Sequence, residues 1–559
     1  MKFSEMKYER IDMSEFKRIY GELAARVNGA SSADEIIDAV YEHERVSRRV
    51  NTMFTLAYIR HSIDTRDAFY SAENDFCDEQ QPVAEEAEQE FMLALYSSRF
   101  RPELEKKFGR LLFRNIEIRL KTFSPEIVPL LQQENALVSS YAKLIASARI
   151  EFDGKVLNTS QMAPYCENRE ESVRRAAYTA LGNYYDSIGD ELDGIFDKLV
   201  ALRTEIAHKL GYSDFTELGY YRMNRNCYTP DDVAEFRRQV VEDIVPISCE
   251  LKRRQAERIG VDRIELFNNS FLRPDGNAVP KGTAEDLLAA GRRMYREMSP
   301  YTAEFIDFLY DNELLDVLAK PGKQVGGYCT DLPLYRAPFI FSNFNGTSGD
   351  VDVLTHEAGH AFASYMSRDF ELLEYASPTA EACEVHSMSM EFFAWKWNSL
   401  FYGDQTEKAL YSHLEGCVNF IPYGTMVDHF QHIIYAHPEL TPAERHAEWK
   451  KLESIYRPYL SDGDLPFYRD GRIWQRQLHI YHYPFYYIDY CLAQTVALEY
   501  WAMSQKDYGK AFENYLAYTR KGGSLTFTEL CEAGGVISPF KPGALKEIAS
   551  VAAEWLGKR

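Results

Sequence analysis

His356 and His360 stand four residues apart in the run Val353-Leu354-Thr355-His356-Glu357-Ala358-Gly359-His360-Ala361-Phe362-Ala363. On a helix this spacing stacks two imidazoles on one face, a turn apart, where they can grip a single metal ion. Ala358, Gly359, Ala361 and Ala363 are small, which suits a helix packed deep inside a protein. Asp350 and Asp352 fall at its start, where carboxylates cap free N–H groups and favour the helix dipole. Glu357 follows the first histidine and is placed to take a proton from a water activated at the metal. The pattern implies a zinc site for peptide-bond hydrolysis.

Such a site needs three protein ligands and one open position. A third histidine six residues on is excluded, because Ala363 and Met366 occupy the positions of the His-x-x-Gly-x-x-His pattern. A glutamate from the next helix is the other solution. Ser377-Pro378-Thr379 reads as the start of that helix. Glu381, Glu384 and Glu391 follow at helical steps and share a face. One of them can bind the metal while another holds the far nitrogen of a ligand histidine. Spacing leaves Glu381 and Glu384 as equal candidates for the metal, and His386 points to another side. Cys383 reads as a small buried side chain.

Several segments together resemble one family. They are Gly326-Gly327-Tyr328-Cys329, the stretch Pro338 to Thr347, His356-Glu357-Ala358-Gly359-His360, and Glu384-Val385-x-Ser387 with Glu391 two turns later. Gly522-Gly523-Ser524 and Ala533-Gly534-Gly535-Val536 continue the likeness, and Ala207 to Tyr212 is a weaker match. The chain over about residues 150–559 is similar to the oligoendopeptidase F branch of the thimet-oligopeptidase-like metallopeptidases, peptidase family M3. The resemblance implies one zinc ion per chain held by His356, His360 and Glu384, with Glu391 supporting a ligand histidine. It also implies a deep cleft between two helical lobes that admits short unfolded peptides and excludes folded proteins.

A second cluster lies at Gln477 to Tyr490. Peptide hydrolysis passes through an oxyanion, and a phenol or imidazole donor aimed at it contributes about 3 kcal/mol. Tyr483, Tyr487 and Tyr490 fall at i, i+4 and i+7, so one helical face would carry three hydroxyls; Tyr486 and Tyr490 form an alternative pair. The resemblance places a histidine and then tyrosines here, serving substrate and oxyanion. This chain has two histidines, His479 and His482, so both stand as candidates beside Tyr486 and Tyr487, while Tyr490 is kept by either alignment.

Phe339, Ile340, Phe341 and Phe344 read as a short strand closed by Asn345-Gly346 and leading into the histidine helix. An exposed strand edge holds a peptide through backbone hydrogen bonds. Phe341, Asn343, Asn345 and Gly346 are accordingly the expected substrate-binding residues. Gly322, Gly326 and Gly327 form a loop without the GxxxxGK[ST] pattern of a phosphate site.

Elsewhere helical periodicity dominates. Helices are predicted over Ala33–Ile63, Asn168–Leu210, Val233–Ile259, Ala284–Met298, Gln405–Phe420, Thr441–Tyr456 and Gly543–Trp555. Arg149–Phe152 and Lys155–Leu157 around Asp153-Gly154 predict a hairpin, and Phe267–Gly282 a loop bearing a short hairpin. The expected fold is mainly α with a small β element edging the site. An N-terminal helical region over 1–160 and a catalytic region over 161–559 are expected, because 559 residues exceed one simple core.

A net charge of −22 argues against nucleic acid as a partner. No apolar run reaches 18 residues, so no membrane span is expected. The first ten residues carry no apolar stretch, and nine scattered cysteines form no CxxC pair, which points to reduced thiols in a cytoplasm. No residue pattern sets a number of subunits. Two rivals to an endopeptidase remain, an exopeptidase of the same metal class and a non-catalytic, zinc-stabilised peptide-binding protein.

Overall fold

The computed structural model describes residues 1–324, 326–344 and 346–558. Helix takes 71% of it and strand 5%, so the chain is mainly helical. It divides into two compact units, each assembled from separated stretches of sequence. The first comprises residues 1–120, 279–404 and 503–536; the second comprises 121–278, 405–502 and 537–559. The chain thus passes between units five times, whereas the sequence suggested one boundary near 160.

In the first unit the helices Met13–Gly29, Ala33–Ile63 and Ala68–Tyr96 start where Asp12, Ser32 and Asp67 accept backbone N–H bonds. Three strands form a mixed sheet in the order Leu315–Leu318, Ala337–Phe344, Tyr328–Leu332. The central strand runs parallel to the first and antiparallel to the last. It leads into the histidine helix, Ser348–Ser367, which is followed by the carboxylate helix, Ala380–Phe393.

In the second unit Ile150–Phe152 and Lys155–Leu157 pair as the expected hairpin, with Asp153 and Gly154 both at positive φ. The predicted helix over Asn168–Leu210 is instead two, Glu171–Ser187 and Gly189–Lys209. The break falls at Ile188, and in Gly189, which begins the second helix, a Cβ would strike the Arg472 guanidinium. Thr406–Ala436 runs well beyond the predicted end at Phe420. Phe267–Gly282 contains no hairpin, only the end of a single helical turn and loop. No described helix is long and apolar enough to cross a membrane.

Glu499 is a buried acid in this unit. One carboxylate oxygen accepts from the Ile537 amide at 2.8 Å; the other has no hydrogen-bond partner. Burial pushes its pKa up from 4.5 to about 7. The folded state therefore keeps a proton that the unfolded chain has lost, and stability falls as pH rises from 4.5 to 7. We expect Glu499→Gln to gain on wild type across this window by on the order of 2–3 kcal/mol, and to gain nothing more above it. Urea midpoints measured against pH check this, and parallel profiles would contradict it.

Candidate functional site

The histidine helix is made by its own loop. Thr347 is the N-cap, and Asp350 in the first turn accepts from the Gly346 amide at 2.6 Å. Asp350 thus ties the incoming loop to the start of the helix. The Tyr295 hydroxyl donates to the Leu354 carbonyl at 2.8 Å and fixes the next turn.

Gly359 faces the carboxylate helix. A methyl group there would lie 2.6 Å from Cα of Ser387 and 2.9 Å from the His386 carbonyl oxygen. Only glycine allows this approach, which carries Glu384 across to the histidines. Glu384 Oε2 lies 3.4 Å from His356 Nε2 and 3.5 Å from His360 Nε2. One ligand atom from each of the three residues lies within 4.8 Å of the others. Two imidazole nitrogens and a carboxylate oxygen are a donor set that suits zinc and leaves a fourth position open.

Charge at the centre is coupled. Burial lowers the His356 pKa, but Glu384 and Glu391 outweigh it, and the net shift is strongly upward. For Glu384, only 5% exposed, burial acts upward and the two imidazoles outweigh it, so the carboxyl stays well below its usual range. A divalent cation would take the place of that positive charge. His356 Nδ1 is 2.7 Å from Glu391 Oε1, which orients the ring with Nε2 toward the centre. Ser387 Oγ donates to Glu384 Oε2 at 3.1 Å.

The other candidates on this helix go elsewhere. Glu381 accepts from Thr379 Oγ1 at 2.7 Å, bonding to its own N-cap residue. The helix starts at Ala380, two residues later than Ser377-Pro378-Thr379 suggested. His386 packs on Tyr518 at 5.3 Å between ring centroids, and burial lowers its pKa to about 3.

The strand prediction needs correction. Ala337–Phe344 is the central strand, not an exposed edge, because strands pair with it on both sides. Phe341 is 0% exposed, stacked 4.9 Å from Tyr328, and cannot touch a peptide. Asn343 Nδ2 donates to the carbonyls of Gln324 and Gly326, so it shapes the glycine loop. Gly346 is exposed, but its amide is committed to Asp350. Asn345 lies outside the described residues. The sheet's two outer strands are Leu315–Leu318 and Tyr328–Leu332, the latter being the one bonded to the histidine helix. Tyr328–Leu332 is half-buried along most of its length, and burial raises the Cys329 thiol, with Asp331, Glu357 and Cys383 adding to the shift. Asp331 accepts from Ser364 Oγ on the histidine helix. Edge strand and Glu357 therefore face the same region of this unit.

In the second unit the tyrosine stripe is also broken. A short helix, Leu478–His482, ends before Tyr483, and a new one runs from Tyr487 to Lys506. Between them Phe485 adopts a φ of 69°. Tyr483, Tyr487 and Tyr490 do not share a helical face; Tyr483 is 59% exposed. His479 instead gathers Tyr486, Tyr487 and Tyr490, with ring centroids at 5.8, 4.9 and 5.8 Å. His482 turns toward Tyr141, at 5.7 Å. Gln477 Nε2 lies 2.9 Å from His479 Nδ1, and Tyr423 donates to the same amide's oxygen at 2.7 Å.

The turn that presents this cluster is locked from beneath. Arg225 donates to the Phe485 carbonyl and, at 2.8 Å, to Asp489, both side chains of that ion pair being fully buried. The Phe485 amide donates to Gln431 at 2.9 Å. Gly219 leaves room for the Phe485 ring, which would stand 2.5 Å from a Cβ there.

Residues 3–123 match the model of the peptidase M3 N-terminal domain, and residues 302–550 match the model of peptidase family M3. A solved structure of PZ peptidase A is 45% identical, covering 100% of this chain and 99% of that one, with a TM-score of 0.94. The chain belongs to peptidase family M3. Oligopeptidase PepF of Bacillus subtilis (strain 168) is 21% identical over 544 residues, which cover 91% of this chain and 78% of PepF. Oligoendopeptidase-F from Enterococcus faecium shares the fold at a TM-score of 0.65, with 17% identity over 98% of each chain.

In this M3 peptidase each unit brings residues to its cluster that the motifs did not announce. Gly359 and Ser387 set the approach and orientation of Glu384, and Asp331 joins the edge strand to the histidine helix. Gln477 and Arg225 orient the histidine–tyrosine cluster. Pro484 was the available signal for the broken stripe, since a helix usually ends before a proline. Gly326-Gly327 marked the entry to the edge strand. Nothing local in the sequence pointed to Arg225, which lies 264 residues from Asp489.

Proposed function

We propose that this peptidase is a zinc-dependent endopeptidase that cleaves internal bonds of short, unfolded peptides. The observation that carries the reading is the convergence of His356 Nε2, His360 Nε2 and Glu384 Oε2, with Glu357 beside them on the same helix. Zinc bound there supplies Lewis acidity and makes water acidic enough to deprotonate near neutral pH.

The residues divide the remaining work. His356, His360 and Glu384 hold the ion, and Glu391 keeps His356 in the tautomer whose Nε2 lone pair faces it. Glu357 takes the proton of the attacking water and later delivers it to the leaving amine. Tyr490, with Tyr486 or Tyr487 and with His479, donates to the oxyanion. His482 and Tyr483 drop out of that role, because one packs on Tyr141 and the other faces solvent. The outer strand Tyr328–Leu332 receives the peptide backbone as an added strand, a mode that ranks peptides by conformation more than by side chain. A cytoplasmic location fits nine cysteines of which the described structure pairs none in a disulfide.

His360→Ala is expected to lose bound zinc and turnover while the helices stay folded, since the other ligands are fixed by packing as well as by metal. Metal content by mass spectrometry and helicity by circular dichroism check this. Full zinc occupancy in the variant would remove His360 from the ligand set. The test of the whole reading is digestion of peptides blocked at both ends, with and without a chelator. Internal cleavage that chelator abolishes and zinc restores is the expected result. Cleavage only of peptides with a free terminus would mean an exopeptidase, and chelator-induced unfolding would mean structural zinc.

A further inference from the structure

Within the second unit lies a cavity of about 480 Å³. Three cations, Lys252, Arg457 and Arg476, and one acid, Glu415, contribute to its wall. Lys252 is almost fully buried and donates to Gln255 Oε1 at 2.8 Å and to the Asn269 carbonyl at 3.0 Å. An ammonium has three donors, and these two bonds leave one for the cavity. The Arg457 guanidinium lies 5.1 Å from the Tyr423 ring centroid. Arg476 donates to the Tyr468 hydroxyl at 3.2 Å. Glu415 is fully buried, its oxygens accept no hydrogen bond, and its ion pair with Arg258 spans 3.6 Å.

The wall therefore carries three positive groups against one negative group, and burial raises the pKa of that acid. Burial likewise draws Lys252 down to about 8, with Glu415 opposing. Lys252 and Arg457 are buried and Arg476 is exposed, so an anion entering the cavity would meet two cations that burial has stripped of much of their water. The volume exceeds that of one small ion, and Tyr178, Tyr423 and Tyr459 add flat apolar surface. Both features suit an amino-acid residue that carries its own negative group.

The cavity also adjoins the histidine–tyrosine cluster. Gln477, which lines it, is the amide beside His479. Phe420, also on the wall, lies 5.8 Å from Tyr487 and 6.5 Å from Tyr490 between ring centroids. We propose that this cavity is a subsite for a carboxylate of the bound peptide, with Arg457, Arg476 and Lys252 as its partners. The carboxylate comes from a free C-terminus or from an aspartate or glutamate side chain. The inference deepens the peptidase reading and rests on it for the identity of the ligand.

The test is equilibrium binding of four fluorescent peptides of one length to full-length, zinc-loaded Glu357→Gln protein. One pair differs only as C-terminal acid against amide. The other, amidated throughout, differs only as internal glutamate against glutamine. The carboxylate member of at least one pair is expected to bind about tenfold tighter, the worth of a charge-assisted hydrogen bond. The pair that discriminates names the source. Arg476→Gln and Lys252→Gln should each bring that ratio toward one; if the buried Lys252 variant does not fold, Arg476→Gln decides. Equal binding within both pairs, absence of binding by all four, or a ratio unchanged in folded Arg476→Gln overturns the proposal. Wild-type turnover is scored separately: a binding preference without hydrolysis sinks the peptidase reading and leaves the carboxylate subsite standing.

Discussion

Glu357→Gln should keep its zinc and lose about 10³–10⁴-fold in kcat. The amide matches the carboxylate in shape, so helix packing and the three ligands are undisturbed. It cannot accept a proton from water or return one to the leaving amine. Both transfers fall on one residue, so the loss appears in kcat, while KM, set by peptide contacts elsewhere, changes little. Steady-state kinetics on an internally quenched peptide, with metal content measured on the same sample, decide it. Activity within tenfold of wild type at full zinc occupancy would mean that another group is the base.

Gly359→Ala adds one methyl group and is expected to cost about a hundredfold in activity together with weaker zinc retention. The new carbon would sit 2.6 Å from Cα of Ser387 and 2.9 Å from a backbone oxygen. Backbone on the carboxylate helix cannot rotate away as a flexible side chain would, so the two helices must separate. Glu384 rides on that helix, three residues before Ser387, and moves off the point it shares with His356 and His360. Zinc affinity by competition with a chromophoric chelator, alongside thermal stability, separates this from simple unfolding. Wild-type affinity in the folded variant would show that the helix crossing does not set the ligand geometry.

Much of the helical framework was legible because it is written locally. Ala33–Ile63 and Ala284–Met298 occur at the residues predicted, with Ser32 and Thr283 as caps whose side chains accept the amides of Glu35 and Asp286. The hairpin at Asp153-Gly154 follows equally from turn chemistry. The order of the sheet was not legible. An apolar run such as Phe339–Phe341 reads the same with one partner strand or two, and its partners, Leu315–Leu318 and Tyr328–Leu332, are short and partly polar. The sequence therefore read as an exposed edge a strand that the sheet encloses on both sides.

At the site, spacing placed both histidines and left two glutamates open. What separates them is the helix start: Glu381 lies in the first turn and bonds back to Thr379, while Glu384 is a turn further along, where Gly359 lets the helices meet. The tyrosine stripe failed for a similar reason. Its period assumed an unbroken helix, and Pro484 with the left-handed Phe485 interrupts it.

The most direct measurement is anomalous diffraction at the zinc absorption edge from crystals of the full-length protein grown with zinc. One strong peak is predicted, bonded to His356 Nε2, His360 Nε2 and a Glu384 oxygen, with no fourth protein atom in its shell. A peak elsewhere, no peak among these residues, or a side chain closing the fourth position would contradict the account.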